Sequence, residues 1–170
     1  MEAEKAEREK IQARMDEAAW LLVEGSYDEA LGIYQELNDQ EMISEVIYQK
    51  AAALDQPDLY LGIMEYKDSR ELHYRAGKAL LHTDPEKAFS ILSDDIAYGD
   101  VKTVLYELAD RESKTENYQL SSEVFSMLAE LPLDPENPMP DCHMRCVQDL
   151  YRYGLQLQDR NDWEIGRAHV

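Results

Sequence analysis

Apolar residues recur at helical intervals along almost the whole chain. Ile11, Met15, Ala18 and Leu22, spaced four, three and four, form one stripe of an α-helix that ends at Gly25. Ser26 with Glu29 is a capping-box pattern, in which hydroxyl and carboxylate satisfy free backbone amides, and it predicts a second, shorter helix. Ala30, Ile33, Tyr34 and Leu37 form the face of that helix, so two helices joined by a tight turn bury their stripes against each other. The pairing repeats. Ile43, Ile47, Ala51 and Leu54 are followed by Gln56-Pro57, a new start because proline at the first helical position loses no intrahelical bond. Asp68 with Glu71 caps a stripe of Leu72, Ala76, Ala79 and Leu80, and Asp84-Pro85 opens a short helix carrying Ala88, Phe89, Ile91 and Leu92. A fourth pair starts near Asp100 with Val101, Val104, Leu105 and Leu108 and continues into Tyr118, Ser121, Val124, Phe125 and Leu128.

The corresponding positions of the short helices, Ala30, Tyr60, Ala88 and Ser121, align at intervals of 30, 28 and 33 residues. Near-constant spacing without β-alternation predicts stacked helical hairpins, none of which can hide its apolar face alone. The expected fold is an all-α solenoid of four complete units, about 1–39, 40–67, 68–98 and 99–131, plus half of a fifth. Pro132, Pro135, Pro138 and Pro140 make 132–140 a bent connector. Asp141 to Asp162, with Cys146, Leu150, Tyr153 and Leu157 on one face, reads as the first helix of the fifth unit, spanning 141–163. Its partner helix is missing, so its apolar stripe is expected to be uncovered and prone to self-association or fraying.

Gly25-x-Tyr27-x-x-Ala30-x-x-x-Tyr34-x-x-Leu37 resembles the second-helix half of a tetratricopeptide repeat. Glu65-Tyr66-Lys67-Asp68-Ser69 is similar to the G-D-Y-K-D-S junction of tetratricopeptide-like repeat proteins common in Gram-positive gut bacteria. The first-helix pattern W-x-x-L-G-x-x-Y is absent, and the spacings fall mostly below the roughly 34 residues of that repeat. The resemblance implies a protein-interaction scaffold with a groove lined by the first helices and no chemistry or cofactor of its own. Transferring the family register places Glu45, Gln49, Arg70 and His73 toward that groove, and Tyr27, Tyr34, Phe89, Tyr118 and Phe125 in packing slots. A Lys/Asn clamp for C-terminal carboxylates is not evident.

Charge narrows the partner. Against 17 Lys+Arg stand 36 Asp+Glu in 170 residues, a formal charge of -19, which repels phosphate backbones and anionic lipid and leaves a protein or peptide, favourably a basic one. Two cysteines fit a reducing, cytoplasmic setting. No run is long enough for a spanning helix, and Glu2–Lys10 lacks the apolar core of a signal peptide. Within that lead, Glu4 and Arg8 stand in the favourable i, i+4 order, so it extends the first helix into solvent or connects to an upstream domain. Residues 164–170 end in Ile165-Gly166-Arg167-Ala168-His169-Val170, which resembles one translation frame of a common sequencing adapter. The natural sequence is therefore expected to stop at Trp163, leaving a truncated fragment.

Candidate chemistry is sparse. Cys142-His143-x-x-Cys146 places two thiols on one helix face, where they invite a metal or redox role, but four zinc ligands are not at hand and His73 and His82 lie units away. The bland reading is a pair of free, packed cysteines, since i, i+4 geometry opposes a bridge between them. Carboxylates such as Asp55, Asp58, Asp94 and Asp95 are assigned to helix ends, stabilised by free amides and the helix dipole. No phosphate-binding, metalloprotease or nucleophile-elbow motif is present. The expected function is a non-enzymatic interaction scaffold. The alternatives are a regulatory or spacer segment of a longer enzyme or membrane-anchored protein, and a small metal or redox protein using Cys142 and Cys146.

Overall fold

The computed structural model describes residues 2–132, 139 and 141–167, with side chains as far as residue 160, and every regular element among them is helical. In chain order these are α1 (Glu2–Val23), α2 (Tyr27–Glu36), α3 (Gln40–Leu54), a 3-10 helix (Pro57–Ile63), α4 (Ser69–Leu80), α5 (Pro85–Ser93), α6 (Val101–Lys114), α7 (Tyr118–Ala129) and α8 (Cys142–Arg167). The chain is all-α. Most of the expected connector, residues 133–138 and 140, and the tail residues 168–170 lie outside the described residues. The chain divides into two compact units, residues 1–76 and 77–170, with the division falling inside α4.

One backbone device recurs at the joints. Gly25, Asn38, Asp55, Lys67, Gly99 and Glu116 all adopt positive φ, between 48° and 80°, and each lies two residues before the first residue of the next helix. A left-handed residue turns the chain out of the helix while the following amide reaches back to seal an orphan carbonyl. Four such six-to-one bonds are formed: Ser26 N to Leu21 O at 2.9 Å, Asp39 N to Tyr34 O at 3.0 Å, Gln56 N to Ala51 O at 3.0 Å and Asn117 N to Glu112 O at 2.9 Å. Ser26 is thereby used differently from the expected capping box. Its amide closes α1, its ψ is 62°, and its hydroxyl makes no capping bond to α2. Asp39 and Asp84 do cap, accepting from Met42 N and Lys87 N at 3.1 Å each. Asp55 and Asp94 stand at carboxyl ends of helices, so the dipole account of them fails; Asp55 is there because it adopts the left-handed turn.

In residues 1–76, α1 packs on α2, α2 on α3, and α3 on the 3-10 helix. Ala18, Leu21, Ala30, Ile33, Tyr34 and Val46 form one buried cluster, and Ala51, Tyr60 and Ile63 a second. Residues 2–13 of α1, Ile11 included, are exposed, so the charged lead does extend the helix into solvent. The short element of the second pair is 3-10 rather than α. Seven residues opened by Pro57 and containing Gly62 give an α-helix too few bonds to propagate, and the tighter form is used in such short pieces.

In residues 77–170, α5 packs on α6, α6 on α7, and α7 on α8. Ala88, Ile91, Leu92, Val104, Leu105, Val124 and Phe125 dominate the core. The aligned residues Ala30, Tyr60, Ala88 and Ser121 are all buried. Two inner faces differ from expectation. On α4 the buried positions are Ser69, His73 and Gly77, small or polar residues four apart, and not the apolar stripe of Leu72, Ala76, Ala79 and Leu80. On α8 the inner face carries Cys142, Cys146 and Asp149.

Candidate interaction surface

Of the four residues expected to line a groove, Glu45 and Gln49 come together and the structure gives them another task. Gln49 Nε2 donates to Glu45 Oε1 at 2.8 Å. The other carboxylate oxygen accepts from Tyr66 Oη at 2.7 Å and Lys67 Nζ at 2.5 Å. Lys67 lies over the rings of Tyr48 and Tyr66, at 4.9 and 5.1 Å, and Tyr48 donates its hydroxyl to Asp68 at 2.7 Å. The bond from Lys67, with those from Gln49 and Tyr66, holds the Glu45 carboxyl down at about 2. The Tyr66-Lys67-Asp68 junction is thus a clasp that ties α3 to the start of α4. His73 is only 2% exposed, with Nδ1 3.0 Å from the Pro57 carbonyl, so it is a packing anchor closed to a ligand. Arg70 is half-buried at the start of α4.

The Glu45–Lys67 pair belongs to a series. Arg14–Glu36 and Glu45–Lys67, both at 2.5 Å, each join a first helix to the far end of its own pair, whereas Lys78–Asp100, at 3.3 Å, reaches the start of α6 and Lys50–Asp28, at 2.5 Å, reaches back to the start of α2; all four span 22 residues. Such exposed pairs contribute little to stability.

Among the described residues, six of the eleven exposed large apolar side chains lie on α8. At 100° per residue, Cys142, Cys146 and Asp149 face inward, Leu157 and Leu150 lie beside Cys146, and Val147, Tyr151, Met144 and Leu155 sweep round the other side. Met144, Val147, Leu150 and Tyr151 are 50%, 54%, 52% and 70% exposed. The expected uncovered stripe is therefore present at Leu150 and Leu157, whereas Cys146 beside them is buried. A polar latch sets the rotation. Asp149 is fully buried and accepts from Ser113 Oγ on α6 at 2.9 Å and Ser121 Oγ on α7 at 2.8 Å. Arg145, stacked 4.6 Å from the Phe125 ring and paired with Asp110 at 2.7 Å, adds a second tie.

Between α7 and α8 runs a groove of about 400 Å³ lined by Ser122, Glu123, Ser126, Met127, Glu130, Cys146 and Leu150. Its floor is apolar and its edge acidic. A second hollow of about 310 Å³ is filled with internal work: Arg111 donates to the Leu81 carbonyl, to His82 Nδ1 at 2.9 Å and to Glu112 Oε1 at 2.8 Å. Cys142 and Cys146 are free and buried, and burial pushes the Cys142 thiol up. Among the described residues no three His, Cys, Asp or Glu side chains are grouped to hold a metal, and no helix is long and apolar enough to cross a membrane.

No protein-family model, curated protein or solved structure matches the chain.

Proposed function

We propose that this chain is an α-solenoid of tetratricopeptide-like hairpins that acts as a non-enzymatic scaffold for a protein or peptide partner. Support for the repeat comes from the recurring left-handed joints and the consecutive packing within each unit. The observation that carries the function is the exposed apolar side of α8 beside an acidic-edged groove. Apolar surface of that extent on so charged a chain is the mark of a contact surface.

The test is selection of helical peptides from a displayed library on the full chain, counter-screened on a Val147→Asp/Tyr151→Asp variant. Peptides enriched on the first and lost on the second support the reading. Failure to enrich any peptide, or enrichment indifferent to both substitutions, would overturn it.

A further inference from the structure

We infer that the α7–α8 groove receives a cationic amphipathic helix. This deepens the interaction-module reading and rests on it. The occupant's apolar stripe lies along Leu150, Val147 and Met127, and its lysines or arginines meet Glu123 and Glu130.

Shape selects a helix. Leu150, Val147, Tyr151 and Met144 are side chains on one flank of a straight helix that already presents one wall of a groove, and a third helix can set its ridge between the two. The described residues offer no sheet edge to which an extended peptide could add a strand.

Charge selects its sign. Glu123 and Glu130 are seven residues apart, two helical turns or roughly 10 Å along α7, and both are exposed. Among the described residues Glu123 accepts a long bond from Gln119 Nε2, at 3.3 Å, and Glu130 sits at the carboxyl end of α7, where the helix dipole adds negative potential. Among the described residues, Arg145 is paired with Asp110 and Arg152 with Asp149. The surface therefore keeps an unbalanced negative edge. A second copy fits poorly, because each carries a formal charge of -19 and would bring the same two glutamates toward its neighbour.

The probe is a labelled synthetic peptide of about four helical turns with leucines at i, i+4, i+7 and i+11 flanked by lysines, compared with the same peptide carrying glutamates. Binding to the full chain is read by fluorescence anisotropy at two salt concentrations. The expected result is at least tenfold tighter binding of the lysine peptide, weakened by salt, and at least tenfold weaker binding to Leu150→Asp. An E123K/E130K double variant should reverse the preference toward the glutamate peptide, while circular dichroism shows its helices intact. Equal binding of the two peptides, or no reversal in the double variant, overturns the inference. So does a wild-type dimer in sedimentation that Val147→Asp dissociates, since the face would then belong to a second copy. Library peptides that bind through Val147 but carry no positive charge would sink this inference and leave the scaffold reading standing. An empty library selection would remove both.

Discussion

Ser121 on α7 gives its hydroxyl to the buried carboxylate of Asp149 on α8 at 2.8 Å, and this bond decides which side of α8 faces water. With Ser113 completing the pair of donors, the most polar residue of that stretch is held inside and its leucines are held out.

Asp149→Ala should therefore destabilise the chain by about 3 kcal/mol, because two buried hydroxyls lose their acceptor. Asp149→Asn can still accept from one serine and donate to the other, so its loss should be nearer 1 kcal/mol. Urea unfolding of the two variants checks the order. Equal losses would mean that the latch is not what holds α8.

The left-handed joints predict gains. Glu116→Gly should stabilise by about 1 kcal/mol and Asp55→Gly by about 0.5, since a side chain pays a steric penalty at positive φ that glycine does not. Gly25→Ala should cost about 1 kcal/mol by the same reasoning. Thermal melting of the three variants against the parent measures this directly.

Acid should open the clasp at Glu45. Its carboxyl titrates near 2 in the folded chain against 4.5 for an ordinary one, so the unfolded chain binds the proton first. The stabilisation is whole above about pH 4.5 and fades as pH falls toward 2. Glu45→Gln should remove that part of the pH dependence, so the parent's unfolding midpoint should drop more steeply than the variant's across this window.

Gly77→Ala should destabilise by about 1–3 kcal/mol even though alanine is the better helix former. A methyl group there would stand 2.8 Å from Leu92 Cγ and 3.1 Å from Ile91 Cγ2. If the variant melts at or above the parent temperature, α4 and α5 are less closely packed than the structure has them.

Helix pairs were legible in the sequence wherever the inner face was apolar. Val101, Val104, Leu105 and Leu108 are buried as their spacing implies, as are Ala30, Ile33 and Tyr34. Periodicity fails where the packed face is small or polar: Ser69, His73 and Gly77 on α4, and Asp149 on α8, carry no hydrophobic signal. His73 reads as a groove residue because the family register is transferred without its first-helix motif, and on α8 the stripe expected to be uncovered is drawn through Cys146, which packs inside. The clasp around Lys67 is made by Glu45, Tyr48, Tyr66 and Lys67, whose mutual hydrogen bonds and ring contacts leave no apolar period to read.

The joints also govern how the chain can change length. Losing one residue within a helix swings every later side chain by about 100° about the axis, and the buried set with it. Excising residues 39–67 instead would put Asp68 where Asp39 now follows left-handed Asn38, with a helix beginning immediately afterwards in both cases. Shorter forms that still melt cooperatively should be those missing a whole hairpin, while deletion of Lys50 alone should not survive.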